Sequence, residues 1–557
     1  MWGRALGFSA FAAAVYTVVL VFFLWPWPAD PARLGINNAD LLLGTWVMAW
    51  VVHQGFNDPR HLLDANMFWP QSGVLANNDT LFPQSIMAAP VFWLGGGPLL
   101  AHNLVLFATI LLSGVTAALL TLRLTRSRGA ALTTGFAYAF CPFRFDHLVQ
   151  INVASYQWFP LVILALWDVA AGSSRSRRTS LILLTFAALL QALTSGYYAV
   201  LLALVLIPAL AFLGRRLWRK GRLGSVLAGL AIAAVIALAA GLPSLMIRGR
   251  QTVSRGPEAP IHWSAVPRSY VDPGPSVPAL GLSRWIERTP EPLFPGFVAT
   301  GFALVGLARA RNKAARSLLL WVGFVCAAMA AGPILRDLPF ELSGPFELAR
   351  RVPPVDMIRV PSRFGIVAIL AIDVLAGLGF AAIERRFSAR RRALFTVAVL
   401  SFMTVELRPA IAYSIQPVPP PPPYTSALAS LPRGGVLALP WRREESAGPA
   451  LYWSTAHWQP LVNGYATFSV TRNFQLAAMA QNFPTGFAAR VLRCAGVRYV
   501  VVHGAEVPDP QRARALNLDV PGVTLLGKYR EDFLFELTPW TPEVPCPKEM
   551  PEGVRRR

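Results

Sequence analysis

The chain has 557 residues, of which 54% are apolar and only 14% charged, and its formal net charge is +22. That composition excludes an ordinary soluble domain. The excess charge is confined to short connections, where 21 basic residues face one acid, Glu384; this excludes a nucleic-acid footprint, which needs a basic face on a folded soluble domain.

Eleven apolar runs follow one another, at 7–25, 99–122, 129–140, 147–171, 180–193, 197–213, 223–247, 293–307, 318–331, 364–383 and 394–411. Several reach the roughly 20 residues that cross about 30 Å of hydrocarbon. The pattern predicts a polytopic α-helical membrane protein. The first run is long and no small-x-small site follows Trp27, so it reads as an anchor rather than a cleaved signal.

Alternate connections carry the arginines: Arg4; Arg123, Arg126 and Arg128; Arg175, Arg177 and Arg178; Arg215, Arg216, Arg219, Lys220 and Arg222; Arg309, Arg311, Lys313 and Arg316; Arg385, Arg386, Arg390, Arg391 and Arg392. The positive-inside rule puts these in the cytoplasm. The N-terminus is then inside, the C-terminus outside, and the host membrane is the inner (plasma) membrane. Segments 27–98, 248–292 and 334–362 of a membrane domain spanning 1–411, with everything after it, face outward. Only that side has enough chain to build a site.

The first outer segment predicts two short amphipathic helices, over 40–54 and 83–94. Trp46, Trp50, Trp69 and Trp93 punctuate it, so both helices are expected to lie in the membrane interface. Residues 412–425 hold a proline run and read as a stiff spacer. Residues 426–557 predict a small extracytoplasmic α/β domain, with strands at 435–439, 497–502, 523–526 and 533–537 and a helix over 473–494 broken at Pro484. Cys494 and Cys546 fall in this tail, where an oxidising compartment permits a disulfide. No CxxC or Cys/His metal spacing exists.

Candidate site residues each carry a structural and a functional reading. Asp40 is either an N-cap or a carboxylate base or metal ligand at the membrane surface. Asp146 and His147, with Arg144, form an outer turn that reads as a capped polar turn or as a site for a divalent cation and a phosphate. Arg359 and Arg363 suit a phosphate or lipid headgroups. Gln191, Tyr197 and Tyr198 form a polar outer turn able to hydrogen-bond a sugar, or an aromatic belt. In the tail, Tyr452, His457 and Asn463 read as carbohydrate contacts or as core. Asp373 sits mid-run, where a carboxylate is costly and by default functional; Glu406 lies nearer an outer end and could face a cavity. Asn78-Asp79-Thr80 matches a glycosylation sequon. Walker A, GxGxxG, HExxH and GxSxG motifs are missing, so nucleotide chemistry and common hydrolase chemistry lack support.

The Asp40 loop, Asn66-Met67-Phe68-Trp69-Pro70-Gln71-Ser72-Gly73, Gly135-Phe136-Ala137-Tyr138-Ala139-Phe140-Cys141-Pro142-Phe143-Arg144 and Arg359-Val360-Pro361-Ser362-Arg363-Phe364 together resemble the GT-C superfamily of integral-membrane glycosyltransferases, more narrowly its YfhO-like bacterial members. The resemblance covers roughly residues 1–410. It implies transfer of a sugar from a polyprenyl-phosphate-linked donor to an envelope glycan or lipid acceptor on the outer face. Asp40 would be the base, Asp146 a second acid (Mg or Mn being the cation a paired-acid site would take), and Arg144, Arg359 or Arg363 would hold the leaving phosphate. The family's usual second acid beside Asp40 is replaced by Asn38. Two other classes stay open: a transporter or flippase of a lipid-linked saccharide using Asp373 and Glu406, and a non-catalytic envelope-assembly protein. No inverted repeat favours transport.

Overall fold

A computed structural model describes residues 2–172, 177–249, 258–335, 342–352, 355–467, 471–541 and 545–550. Arg175, one of the basic connection residues, lies outside them. The protein is mostly helical. Its first helices are α1 (Trp2–Leu24), α2 (Ala39–Asn57), α3 (Phe82–Trp93), α4 (Pro98–Thr125), α5 (Arg128–Ala139), α6 (Pro142–Asp146), α7 (Ile151–Ala154) and α8 (Phe159–Ala171). Then come α9 (Arg177–Thr194), α10 (Gly196–Arg219), α11 (Leu223–Gly249), α12 (Glu258–His262), α13 (Phe297–Arg309), α14 (Lys313–Ala330), α15 (Pro345–Ala349), α16 (Gly365–Glu384) and α17 (Ala389–Glu406). The tail adds α18 (Tyr424–Ser430), α19 (Gly448–Ser454), α20 (Thr471–Met479), α21 (Gly486–Cys494) and α22 (Asp509–Leu516).

The apolar runs fold largely as helix, the one at 147–171 as two pieces, α7 and α8. Among the described residues 7 helices are long and apolar enough to cross a membrane: Leu6–Leu24, Pro98–Thr125, Ile151–Ala171, Gly196–Arg219, Leu223–Ile247, Lys313–Ala330 and Pro361–Glu384. The other runs are shorter or more polar; α13, for example, has 13 residues.

Contacts divide the chain into two units. The first comprises Met1–Leu34, Asn103–Gly241 and Val253–Ile415. Its centre is α16, buried along nearly its whole length. Glycine lets α13 lie against it: a Cβ on Gly306 would stand 2.1 Å from the Leu375 carbonyl oxygen, and one on Gly379 would meet the Phe302 carbonyl, the close backbone approach that small residues permit between helices. The basic connections bond to one another. Arg123 Nε stands 2.6 Å from Asp168 Oδ1, Arg222 donates to the carbonyls of Val169 and Gly172, and Arg177 donates to Ser225. The connections between them in sequence also meet. Gln191 and Ser155 pair, Tyr197 bonds to Arg359 and Val360, and Ala410 donates to Ser276.

The second unit comprises Gly35–His102, Leu242–Thr252 and Gln416–Arg557. Its sheet runs in the order β5 (Gly435–Leu439), β6 (Val497–His503), β8 (Asp532–Leu537), β7 (Val523–Tyr529), numbered after the short strands β1 (Leu34–Ile36), β2 (Ile334–Leu335), β3 (Leu342–Ser343) and β4 (Ile415–Pro417). β5 and β6 are parallel; β8 is antiparallel to both its neighbours. β5 is buried at every position and β6 at all but Arg498 and His503, as strands covered on two sides are. Val418, inside the proline stretch, is buried. Cys494 and Cys546 are joined as a disulfide.

One expectation for this unit is corrected. Helix α2 does not lie flat on a surface: Leu41, Leu42 and Gly44 through Val52 are buried. Its run Leu-Leu-Leu-Gly-Thr-Trp-Val-Met-Ala-Trp-Val-Val is apolar on every side, which marks a core helix rather than an amphipathic one. Trp46 Nε1 donates to Asn66 Oδ1 at 3.1 Å, and Trp50 Nε1 to the Leu62 carbonyl at 2.8 Å.

Candidate functional site

In the first unit a cavity of about 440 Å³ is lined by Asp146, His147, Gln150, Trp263, Arg288, Glu291, Arg359 and Arg363. Three connections supply these side chains. The 141–150 turn begins with Pro142 at the first position of α6, where its missing N–H costs nothing. The loop before α13 brings Arg288 and Glu291. The 3-10 turn Pro361–Phe364 leads Arg363 into α16.

His147 and Glu291 are both buried and form the site's central pair, with Nε2 and Oε2 3.2 Å apart. The other ring nitrogen, Nδ1, lies 2.8 Å from the Phe143 carbonyl oxygen. A carbonyl only accepts, so Nδ1 carries a proton. Burial alone would push the Glu291 carboxyl up; the His147 charge and hydrogen bond, with Arg363 and Arg359, outweigh it and hold Glu291 below the usual carboxylate range. Asp146 goes the other way. Burial pushes it up to about 6, against the opposing pull of Ser276 and His147. Its Oδ1 accepts from the Ser276 N–H at 3.2 Å, while Oδ2 has no hydrogen-bond partner among the described residues.

The guanidinium side is fixed from behind. Tyr197 Oη accepts the backbone N–H groups of Arg359 and Val360 at 2.7 and 2.8 Å. Its ring lies 5.3 Å from the Arg363 guanidinium carbon. Arg363 donates to Gln150 Oε1 at 2.9 Å, and its Nε, buried, has no partner among the described residues. Arg288 is held by Asp272, which also accepts from Thr289 and Gly274. Three cations beside an acid–imidazole pair suit an anionic group next to a hydroxyl that must lose a proton. Among the described residues no group of three or more His, Cys, Asp or Glu could hold a metal ion.

The second unit holds Asp40. The N-cap of α2 is Asn38, whose side chain accepts the Asp40 N–H at 2.8 Å, so Asp40 occupies the first turn instead of the cap. Tyr465 Oη donates to Asp40 Oδ1 at 2.7 Å.

Several residues read as binding groups are structural. Arg144 is fully buried and aimed away from any phosphate: it donates to the carbonyls of Ala139 and Ala154 and to Ser113 Oγ, and its guanidinium lies 3.9 Å from the Tyr156 ring centre. Gln191 is buried and closes the break between α7 and α8, accepting from Trp158 N–H and donating to the Ser155 carbonyl. Tyr198 is buried and donates to the Val153 carbonyl. Asn463 is buried and pairs with both backbone groups of Ala438 on β5. Tyr452 is buried. His457 accepts the Gln459 N–H on Nδ1, and burial pushes its ring down to about 4. Asn78 of the sequon is buried, with its carbonyl oxygen bonded to Thr467. Glu406 accepts the N–H groups of Phe297 and Val298 and caps α13. Asp373 is fully buried, and neither carboxylate oxygen has a hydrogen-bond partner among the described residues.

Glu291 and Arg288 escaped the sequence reading. The only signal was a cluster of charge and proline, Arg-Thr-Pro-Glu-Pro, in the loop before α13. Comparison of the chain with protein-family models and with curated proteins finds no match.

Proposed function

We propose that this protein is a membrane-embedded glycosyltransferase of the GT-C kind, moving a sugar from a polyprenyl-phosphate-linked donor to an envelope acceptor. The reading rests on one observation above all: Arg359, Arg363 and Arg288 share a cavity of about 440 Å³ with Asp146 and the His147–Glu291 pair. The acceptor oxygen forms the new bond to the anomeric carbon, the bond from that carbon to the phosphate oxygen breaks, and the acceptor proton passes to a carboxylate. The leaving lipid phosphate gains negative charge in the transition state, where fixed guanidinium groups stabilise it most.

Two carboxylates compete for the base. The resemblance favours Asp40. The geometry favours Asp146, a buried carboxylate whose proton affinity is tuned close to neutrality. Guanidinium groups hold the phosphate in this reading, and a Mg or Mn ion takes no step. The basic connections face the cytoplasm, the cavity faces outward, and the plasma membrane of a bacterium is the compartment. The Cys494–Cys546 disulfide supports an outward tail, because such bonds persist in oxidising surroundings.

A second reading, transport of a lipid-linked saccharide, draws support from Asp373, since an acid inside an apolar helix with no hydrogen-bond partner among the described residues suits a pathway. Nanodisc-embedded protein distinguishes the two. Saturable binding of polyprenyl phosphate over neutral polyprenol, at least tenfold weaker in Arg363→Ala, is expected, with transfer lost in Asp146→Asn. Full transfer in Asp146→Asn and none in Asp40→Asn moves the base to Asp40. Lipid flipping in vesicles that stops in Asp373→Asn, without phosphate-selective binding, overturns the transferase reading.

A further inference from the structure

The second unit carries an exposed apolar patch that its own core does not use. Phe56 at the end of α2 is 67% exposed, and Ile86, Trp93 and Leu94 on and just after α3 are 69, 65 and 89% exposed. Phe56 and Trp93 touch edge to face, with ring centres 5.3 Å apart. Ile86, Pro90 and Trp93 recur at the four- and three-residue spacing that places them on one face of α3; Gln84, Ser85 and Ala88, turned away from that face, are buried. Four large side chains exposed together are unusual on a surface that meets water.

Two observations say what covers the patch. Leu94 is followed by Gly95, Gly96 and Gly97, and the membrane-length helix α4 starts at Pro98, its first turn belonging to the same unit. The patch is therefore tied within four residues to the end of a span. Moreover, no Asp, Glu, Lys or Arg occurs between Asp79 and Arg123. An uncharged helix of 12 residues is about 18 Å long at 1.5 Å per residue, too short to cross a bilayer but long enough to lie within one leaflet. Tryptophan at one end and aliphatic residues beside it match the polarity step between headgroups and acyl chains.

We propose that α3 is a half-helix embedded in the lipid leaflet at the outer end of α4, with Phe56, Ile86, Trp93 and Leu94 in contact with lipid. This goes beyond a flat surface helix, because α2 is a core element and contributes only its final aromatic residue. It does not depend on the transferase reading.

The test uses full-length protein in nanodiscs. Single variants Ile86→Cys and Leu94→Cys carry a bimane label, with Arg514→Cys as an exposed control. Cys141 and Cys326 are buried and Cys494 and Cys546 are paired, so background labelling is low. Expected is at least twofold stronger quenching of labels 86 and 94 by 5-doxyl lipid than by aqueous iodide, with the reverse at 514. Stronger iodide quenching at 86 and 94 overturns the proposal. So does shielding from both quenchers; copper-catalysed cross-linking of the unlabelled Leu94→Cys variant between copies in that case assigns the patch to a second copy of the chain.

Discussion

Glu291 Oε2 stands 3.2 Å from His147 Nε2 while the far nitrogen of the ring donates to the Phe143 carbonyl. The pair is separated by 144 positions in the chain, and nothing in either local sequence announces the partner. Glu291→Ala removes one partner of a buried pair and is expected to cost on the order of 3 kcal/mol. Glu291→Gln costs less, because a neutral ring can accept from the amide. Thermal unfolding in detergent reads the order Ala worse than Gln; equal loss would show that the contact with the ring does not matter. Because the folded carboxyl is held below its ordinary value, its contribution is present above that value and fades as pH falls through the folded one.

Asp146 gives the opposite slope. Its carboxyl titrates near 3.8 unfolded and about 6 folded, so the folded state binds the proton more tightly. Stability then declines as pH rises from about 4 to 6 and stays lower above that. Asp146→Asn removes this dependence and is expected to be the more stable protein at pH 7, by up to about 3 kcal/mol at 1.36 kcal/mol per pK unit, and no more stable below about pH 4. Melting curves from pH 4 to 8 check it. In the proposed reaction the same variant is inactive, so stability and activity move in opposite directions.

Arg144 and Arg363 differ in kind. Arg144→Ala strands the Ala139 and Ala154 carbonyls and empties a fully buried site, a loss on the order of 4 kcal/mol. Arg363→Ala is expected to leave the melting temperature within a few degrees of wild type while weakening phosphate binding at least tenfold. Low expression of both variants alike would show that Arg363 is structural too.

The Cys494–Cys546 bond closes a loop of 52 positions. In the chain-entropy picture a loop of that length is worth about 4 kcal/mol at most. Cys494→Ser is expected to expose Cys546 to maleimide and to lower the denaturant midpoint of the second unit, read by hydrogen exchange on β6 and β8. Labelling of Cys546 in unreduced wild-type protein would count against a closed bridge.

Much of the helical pattern was legible, because a long apolar run has few alternatives to helix. Asp146, His147, Arg359 and Arg363 were legible as polar groups in connections between apolar runs, and they line one cavity. Glu291 and Arg288 were not, since pairing between distant loops is set by helix packing that no local pattern encodes. Gln191, Asn463 and Arg144 misled for a shared reason: the amide and guanidinium groups that recognise a ligand are also those that satisfy broken backbone in a core. The buried character of α2 was readable, because an apolar residue at nearly every position leaves no polar face. Tyr197 was read as a sugar contact, yet it holds the backbone of the arginine turn from behind.

Glu406 closes the N-terminus of α13 from 109 positions downstream. The consequence concerns biosynthesis. At 5–20 residues per second, roughly 5 to 20 seconds pass between the ribosome releasing the start of α13 and delivering its cap. Through that interval a helix of 13 residues has open amides at one end and no cap to close them. The last bundle helix thus acts as a late clasp, and nascent chains arrested between residues 310 and 405 hold α13 in a state that protease accessibility can distinguish from the finished protein.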